Sequence, residues 1–175
     1  KAKGWENVIC YGMVSTLDDV KNAAAAEMNI VCSAAAIKAA EYLKEKFGTP
    51  YEIEYPRSCL PEEIVQKAYN FTDKNVLVIH NQTAADAVRK LITEKSGKCH
   101  CTSATFFMQK KELSQQSDFF LADESDLCDN VGDNYDVVIA DKTLRRVMKN
   151  FSGEFIDFPH FGLSGRLLQG ESEKI

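Results

Sequence analysis

The sequence predicts an α/β fold, in which Rossmann-like parallel β-sheets carry helices on both faces and form two consecutive units. Short runs rich in β-branched residues recur along the chain, and each is followed at once by an amphipathic helical stretch. These runs are apolar throughout rather than alternating, as expected for strands that helices cover on both sides. Strands that alternate with helices of about 10 to 15 residues favour right-handed crossovers and hence a parallel sheet.

The first strand–helix repeat begins at Asn29. The apolar run over residues 29–33 predicts a strand, and the spacing after it predicts a helix over residues 34–47. Gly48 and Pro50 are expected to end this helix, because glycine suits the position after a helix and proline cannot continue one. The predicted buried stripe consists of Ala36, Ile37, Ala40, Leu43 and Phe47.

The second repeat pairs a strand over residues 75–79 with a helix that starts near Thr83. Between them lies the polar turn His80-Asn81-Gln82. Thr83 and Asp86 have the spacing of a capping box, in which two side chains satisfy exposed backbone N–H groups at a helix start. The predicted apolar face consists of Ala84, Val88, Leu91 and Ile92.

The third repeat pairs a strand over residues 136–140 with a helix capped by Asp141. Its predicted inward-facing residues are Leu144, Val147, Met148 and Phe151. Further strands are predicted over residues 7–11, 51–55, 99–107 and 154–158. A helix is predicted to open at Ser15, where Asp18 stands at capping-box spacing.

Two prolines within residues 55–61 indicate a link between two units. Residues 1–57 are interpreted as a partial Rossmann-like unit, the end of a domain. Residues 58–175 are interpreted as a Rossmann-like carboxyl-terminal domain, in which residues 60–165 form a four-stranded layer. Pro61 is predicted to lie in the first turn of the helix that follows the link.

Composition narrows the classes of partner. The 175 residues are 45% hydrophobic and 27% charged, with a net charge of -5, and acids and bases are interspersed without a basic stripe, which argues against nucleic acid. No run reaches the roughly 20 apolar residues of a membrane span, and the first residues lack the apolar core of a signal peptide, so we expect a cytoplasmic protein without a membrane partner. The start at Lys1 suggests an excised or processed piece. The six cysteines are expected to be reduced thiols.

Several catalytic motifs are missing from the sequence. It contains no Gly-x-Gly-x-x-Gly and no Gly-x4-Gly-Lys-Ser/Thr, which are the usual phosphate-binding turns for dinucleotides and ATP. It also contains no Gly-x-Ser-x-Gly and no His-Glu-x-x-His. A self-contained dehydrogenase or hydrolase is therefore not predicted, and no catalytic residue is assigned.

Two stretches resemble a known family. MNIVCSAAAIKAAEYLKEKFGTPYEIEYP resembles the segment of nitrogenase component 1 proteins in which a strand ends in Ser or Cys, a helix follows, and an aromatic-Gly-x-Pro turn leads into the next strand. NYDVVIADKTLRRVMKNFSGEFIDFPHFGLSGRL is similar to the family's final Rossmann-like unit, with Phe-Pro after the last strand. The similarity spans most of residues 15–168 in the family's order.

The resemblance implies a subunit of three Rossmann-like domains that pairs with a homologous component 1 subunit. It also implies iron-sulfur or metal-sulfur clusters and electrons from an ATP-dependent iron-sulfur reductase. By this comparison, the sequence contains only the end of the middle domain and the last domain. We therefore expect no cluster bound to this chain alone and no activity of the chain alone.

Cys32 and His160 are the candidate cofactor-binding residues. Cys32 ends a strand before a helix, where exposed N–H groups and the helix dipole favour a thiolate. The resemblance implies that Cys32 is a metal ligand, because catalytic subunits of the family ligate the cofactor through a cysteine here, whereas many relatives carry Ser. It also implies that His160 lies near the histidine that binds the cofactor metal. The alternatives are a small buried strand-end residue for Cys32 and a packed or solvent-facing histidine for His160.

Other polar residues follow the predicted strands. His80, Asn81, Gln82, Asp141 and Lys142 lie at the carboxyl edge, where open α/β sheets bind ligands, and capping or turn formation is the alternative role for each. Cys99-His100-Cys101 has the composition of a metal site, but alternation along a strand turns His100 away from both cysteines. Incidental thiols are predicted at Cys10, Cys59 and Cys128.

Three functions remain open at this point. The first is an electron-transfer component of an oxidoreductase. The second is a scaffold subunit on which a metal cofactor is assembled. The third is a metal-free α/β ligand-binding module that uses the polar turns at the strand ends. The first two share a fold and a site, so residues alone do not separate them.

Overall fold

The computed structural model describes residues 5–11, 15–131 and 134–164. They form one two-stranded and one five-stranded sheet, both parallel, with helices around them, so the predicted fold class is confirmed. The strands are β1 (Asn29–Val31), β2 (Tyr51–Ile53), β3 (Asn75–Ile79), β4 (His100–Thr105), β5 (Phe119–Phe120), β6 (Val137–Ala140) and β7 (Glu154–Asp157). The α-helices are α1 (Leu17–Lys21), α2 (Ile37–Phe47), α3 (Glu62–Lys67), α4 (Gln82–Ser96), α5 (Glu124–Val131) and α6 (Phe161–Ser164).

Short 3₁₀ turns connect or extend several elements. They are Asn22–Ala25, Ala34–Ala36, Arg57–Cys59, Ala68–Asn70, Lys111–Leu113 and Lys142–Arg146. The predicted helix of the first repeat therefore begins as the 3₁₀ turn Ala34–Ala36 and continues as α2. Gly48 ends it with a backbone in the left-handed region, at φ 76°. Glycine is favoured there because a Cβ would strain that backbone.

The small sheet packs against α2. Its core consists of Val31, Ala34, Ile37 and Ala40. Phe47 was predicted to be buried with them, but its side chain is 59% exposed, and Ala36 is exposed as well. Both predictions were wrong because the two strands offer one narrow face, which the first two turns of the helix already cover.

The large sheet has the strand order β5-β4-β3-β6-β7. β3 is the first of these strands in the chain and lies in the middle of the sheet. β4 and β5 follow on one side of it, and β6 and β7 follow on the other side. The crossover direction reverses between β3 and β6. In doubly wound sheets, ligands bind outside the carboxyl ends of the strands at this switch point.

Side chains of the large sheet supply two cores. Val76 and Val78 of β3 pack with α3 and α4 on one face, whereas Leu77 and Ile79 pack with α5 and the Lys142–Arg146 turn on the other. Successive strand side chains alternate between faces, so a strand covered on both sides must be apolar at every position. Helices therefore cover both faces, as predicted.

Three predictions at the amino-terminal end and the link were wrong. Residues 7–11 form no strand and are exposed. Thr16, rather than Ser15, caps the first helix, because its hydroxyl accepts from the Asp19 N–H and the Asp19 carboxylate accepts from the Thr16 N–H. Pro61 lies just before the first turn of α3, at the capping position.

The large sheet also differs from its predicted form. It has five strands rather than four, because β5 and α5 were not predicted. Asn81 caps α4 in place of Thr83, since its side-chain oxygen accepts from the Ala84 N–H at 3.0 Å. Residues 165–167 of the second family-like stretch lie outside the described residues. Among the described residues, no helix is long and apolar enough to cross a bilayer.

Candidate functional site

Three strands bring His80, Asp141 and His160 together at the carboxyl edge of the large sheet. His80 follows β3, Asp141 follows β6, and His160 comes shortly after β7. The ring centroids of His80 and His160 are 4.5 Å apart. The backbone N–H of His160 donates to Asp141 Oδ2 at 2.8 Å. These residues flank the switch point between β3 and β6.

Asp141 is fully buried and holds this edge together. Its carboxylate accepts hydrogen bonds from the Thr143 N–H and hydroxyl, the His160 N–H and the Ser164 hydroxyl. Burial raises the pKa of the carboxyl group, but these hydrogen bonds outweigh it and hold the pKa well below its usual range. The predicted capping role is found, and the same side chain also anchors the segment after β7. Lys142 is exposed.

His160 is packed between a ring and a backbone donor. Its imidazole stacks on the Phe107 ring with a centroid distance of 4.0 Å and an interplanar angle of 14°. The Gly162 N–H donates to His160 Nδ1 at 3.0 Å. Burial lowers the pKa of His160 despite the opposing charge of Asp141. The ring is therefore neutral near pH 7, with its proton on Nε2.

His80 is a packed, neutral histidine. Its ring stacks on Phe158 at 3.9 Å, and its Nε2–H donates to the Pro159 carbonyl at 3.1 Å. Burial, with a smaller contribution from His160, lowers the pKa of His80 to about 3. Its Nδ1 is buried without a hydrogen-bond partner among the described residues. His80 thus has a packing role, whereas the sequence predicted capping or turn formation as its alternative to ligand binding.

Cys32 lies where the small unit meets the large one. It follows β1, and its backbone carbonyl accepts a hydrogen bond from the Thr83 hydroxyl of α4. Its side chain is exposed. Partial burial raises the pKa of the thiol, and the charges of Cys59, Cys10 and Glu54 act in the same direction. The expected lowering of the pKa by the following helix is therefore not found, and Ser33 serves as the cap of that turn.

A cleft of about 850 Å³ opens between the two units at this edge. Its apolar wall consists of Phe106, Phe107, Met108, Phe120 and Phe161. Its polar lining consists of Ser33, Asn81, Gln109 and His160. Ser33 comes from the small unit and follows Cys32 in the chain, and of the two predicted cofactor-binding residues His160 lines the cleft itself.

Gln82 holds the loop that forms the aromatic wall. Its side-chain amide donates to the Lys110 carbonyl at 2.9 Å and accepts from the Lys110 N–H at 3.0 Å. This predicted candidate thus supports the cleft without lining it. Asn81 both lines the cleft and caps α4.

The remaining cysteines are exposed or partly buried thiols. Cys99 and Cys101 pack against the core while His100 is exposed, as strand alternation predicts. Burial raises the pKa of Cys101 to about 12. Within the described parts of the chain, no three His, Cys, Asp or Glu side chains are placed to hold a metal ion.

Sequence reasoning missed two residues of this site. Phe107 and Gly162 determine the orientation of His160, and a Cβ at position 162 would lie 3.0 Å from the Phe107 ring. The apolar run Phe106-Phe107-Met108 directly after β4 was the available signal, because an aromatic run that leaves a strand at the ligand-binding edge is exposed unless something covers it.

Comparisons with known proteins bear on the fold. No family model and no curated protein matches the sequence. A solved structure described as "Nitrogenase Cp1 at pH 6.5" is similar to this chain, with a TM-score of 0.52 and 15% sequence identity. The fold is nitrogenase-like. The similarity covers 90% of this chain and 43% of the solved chain, so this chain spans less than half of that nitrogenase chain.

The nitrogenase-like fold raises the question of whether these residues suit a metal-sulfur cluster. Cys32 offers one exposed thiol, next in the chain to Ser33, which lines the cleft. That fits a single ligand to a cluster whose other ligands come from elsewhere. His160 fits less well, because its Nδ1 already accepts a hydrogen bond from Gly162. The chain's own residues therefore suit a shared site and not one that it completes alone.

Proposed function

We propose that this chain is the carboxyl-terminal part of a nitrogenase component 1-like oxidoreductase subunit. The subunit takes part in ATP-coupled, iron-sulfur-dependent electron transfer to a reducible substrate. In this proposal, residues 1–57 are the end of the middle domain and residues 58–175 are the last domain. The main support is the cleft at the switch point, which the two units line together within a nitrogenase-like fold.

In the proposed function, Cys32 is a metal ligand and His160 contacts the cofactor. The raised pKa of Cys32 means that the thiol is protonated near neutral pH. Metal binding then releases that proton, so affinity for the metal increases with pH. When bound, a cluster would supply electrons to the substrate, and the chain's own residues would shape the cleft around it.

The proposed partners are a homologous component 1 subunit and an ATP-dependent iron-sulfur reductase, in the cytoplasm. Apolar side chains on the small unit support further protein contacts, because Leu17 is 81% exposed and Val20 is 54% exposed. Contiguous exposed apolar side chains are typical of surfaces that another protein covers.

The deciding experiment is anaerobic purification of the natural protein from its own cells, followed by iron and acid-labile sulfide analysis and absorption spectra. We expect iron and sulfide in the wild type and a loss of both in Cys32→Ala. The matched control is Cys128→Ala, because Cys128 is also exposed but lies away from the cleft. Equal iron and sulfide in both variants, or a metal-free wild type, contradicts the proposal.

The cleft also favours a second candidate, a metal-free ligand-binding module. An aromatic cleft with a few polar groups at a switch point is typical of small-molecule sites. The same purification distinguishes this candidate from the electron-transfer subunit. A metal-free ligand-binding module should be colourless and contain neither iron nor sulfide.

A further inference from the structure

Two oppositely charged patches lie side by side on the large unit. The acidic patch belongs to α5 and the residue before it, and no basic residue lies among its members Asp123, Glu124, Asp126 and Asp129. The basic patch belongs to the Lys142–Arg146 turn and the residues after it, and no acidic residue lies among its members Lys142, Arg145, Arg146 and Lys149. Along most of the chain, by contrast, acids and bases are interspersed.

The two patches adjoin each other on one face of the large sheet. Leu127 of α5 and Leu144 of the turn are buried in the same hydrophobic core. Cys128 marks the boundary between the patches, because it is exposed and its thiol donates to the Val147 carbonyl at 3.5 Å. These contacts hold the patches in a fixed relation, so they form one surface with a negative side and a positive side.

The charges of this surface are exposed. Solvent reaches every side chain of the basic patch and all but Asp126 of the acidic patch, which is half-buried. The carboxylates of Asp123 and Asp126 accept backbone N–H groups at the start of α5. Among the residues that the structure describes, no member of either patch takes part in an ion pair. Arg145 lies over the Phe155 ring at 5.3 Å, which orients its guanidinium without neutralising it.

A surface of this kind is complementary to a second copy of itself. Rotation by 180° about an axis through the boundary places the basic patch of one copy over the acidic patch of the other, and the reciprocal contact forms at the same time. Each patch has four charged side chains, so the charges balance across the contact. The whole chain carries a net charge of -5, so two copies attract each other only in this orientation.

We propose that two copies of the chain associate about a two-fold axis through this surface, with the basic patch of each against the acidic patch of the other. The interface goes beyond the proposed function, because it involves neither a metal nor the cleft. Exposed ion pairs are individually weak and are screened by salt. The dimer is therefore reversible and weakens as the ionic strength rises.

The first test is sedimentation velocity of the full chain over a range of protein concentrations. At low salt we expect a reversible equilibrium between monomer and dimer. Raising the salt concentration from about 50 mM to about 500 mM should increase the dissociation constant about tenfold, because the screening length shortens. A chain that stays monomeric up to about 1 mM at low salt, or an association that salt does not weaken, overturns the proposal.

Charge reversal then identifies the surface. Arg145→Glu/Arg146→Glu and Glu124→Lys/Asp129→Lys each replace attraction by repulsion in both halves of a symmetric dimer. Each variant alone should therefore self-associate at least about tenfold more weakly than the wild type. An equal mixture of the two variants should associate as the wild type does, because the reversed charges face each other. Restored association also shows that both variants are folded.

The control is Lys38→Glu/Lys98→Glu, which makes the same charge change as the basic-patch variant at two exposed lysines outside both patches. It should keep the wild-type dissociation constant. Equal weakening in the control and in the basic-patch variant, or a mixture that associates no more tightly than either variant alone, overturns the proposal. None of these measurements involves iron or Cys32, so their failure is distinct from failure of the proposed electron-transfer function.

Discussion

Asp141 is fully buried, yet it is ionised at neutral pH because four hydrogen bonds converge on its two oxygens. Charge-assisted hydrogen bonds of this kind are stronger than neutral ones. They tie the turn after β6 to the segment that contains His160. A single carboxylate thus determines the position of a candidate ligand-binding residue.

We expect Asp141→Asn to lower the free energy of unfolding by about 2–4 kcal/mol, since an amide presents a donor to groups that are themselves donors. Urea denaturation measures this loss. Asp129→Asn is the control, because Asp129 is exposed.

The folded-state pKa of Asp141 is lowered, so the contribution of Asp141 to the free energy of unfolding is present above the unfolded pKa of about 3.9. This contribution is lost as pH falls through the folded pKa. The difference between wild type and variant should therefore shrink in acid, and a constant difference would contradict this assignment.

The lowered pKa of His80 should make the free energy of unfolding depend on pH. Its pKa is about 3 in the folded chain, so the unfolded chain takes up a proton near pH 6.5 that the folded chain does not. The free energy of unfolding should fall below pH 6.5, approaching about 1.4 kcal/mol per pH unit from this residue. Denaturation of His80→Phe should show a shallower pH dependence, whereas His100→Phe, at an exposed site, should match the wild type. Parallel curves for all three proteins would show that His80 is not the cause.

At the scale of elements, α4 organises the large unit. Its first turn reaches the small unit through Thr83 and holds the aromatic loop through Gln82. Its middle is tied to the start of β5 by Arg89, which pairs with Asp118 at 2.5 Å. The Asp118 carboxylate also accepts from the backbone N–H groups of Ser103 and Gln115. The helix therefore sets the path of the loop that lines the cleft.

Arg89→Met should lower the free energy of unfolding by about 3–5 kcal/mol, because it leaves the Asp118 charge buried and unpaired. The Asp118 side chain is 2% exposed and that of Arg89 is 8% exposed. Arg57→Met is the matched control, since its pair with Glu94 is half exposed and screened by solvent. Thermal denaturation compares the two variants. Similar losses for both would show that burial of the Arg89 pair has no special effect.

At the scale of the whole molecule, two sheets meet at one edge. The small unit contributes Ser33 to the cleft and the large unit contributes Asn81 and His160. Neither unit encloses the cleft alone. This arrangement suits a site that is completed by other chains or other parts of a longer chain, as the proposed function requires.

The hydrogen bond from Thr83 to the Cys32 carbonyl couples the two units, so Thr83→Val should loosen the small one selectively. Hydrogen exchange of the amides in β1 and β2 should become faster, while those in β3 and β6 should stay protected. Thr72→Val is the control, because its hydroxyl bonds within the large unit, to the Ser96 carbonyl. Faster exchange in both sheets would indicate general destabilisation and contradict the specific coupling.

The sequence by itself determined the fold class and most strand positions. β3 was predicted with its observed bounds, Asn75–Ile79, because a strand covered on both faces must be apolar at every position. Asp141 was recognised as a cap, because capping is a local interaction between neighbours in the chain. β5, with two residues, was too short to show a pattern.

The tertiary structure alone decided how the residues of the site contact one another. It placed Phe107 on His160 and the Gly162 N–H on His160 Nδ1, and these contacts determine which ring nitrogen bears the proton. It also raised the pKa of Cys32, because burial and the nearby Cys59, Cys10 and Glu54 all act in that direction. Local interactions are encoded in neighbouring residues, whereas burial and long-range contacts exist only once the whole chain has folded.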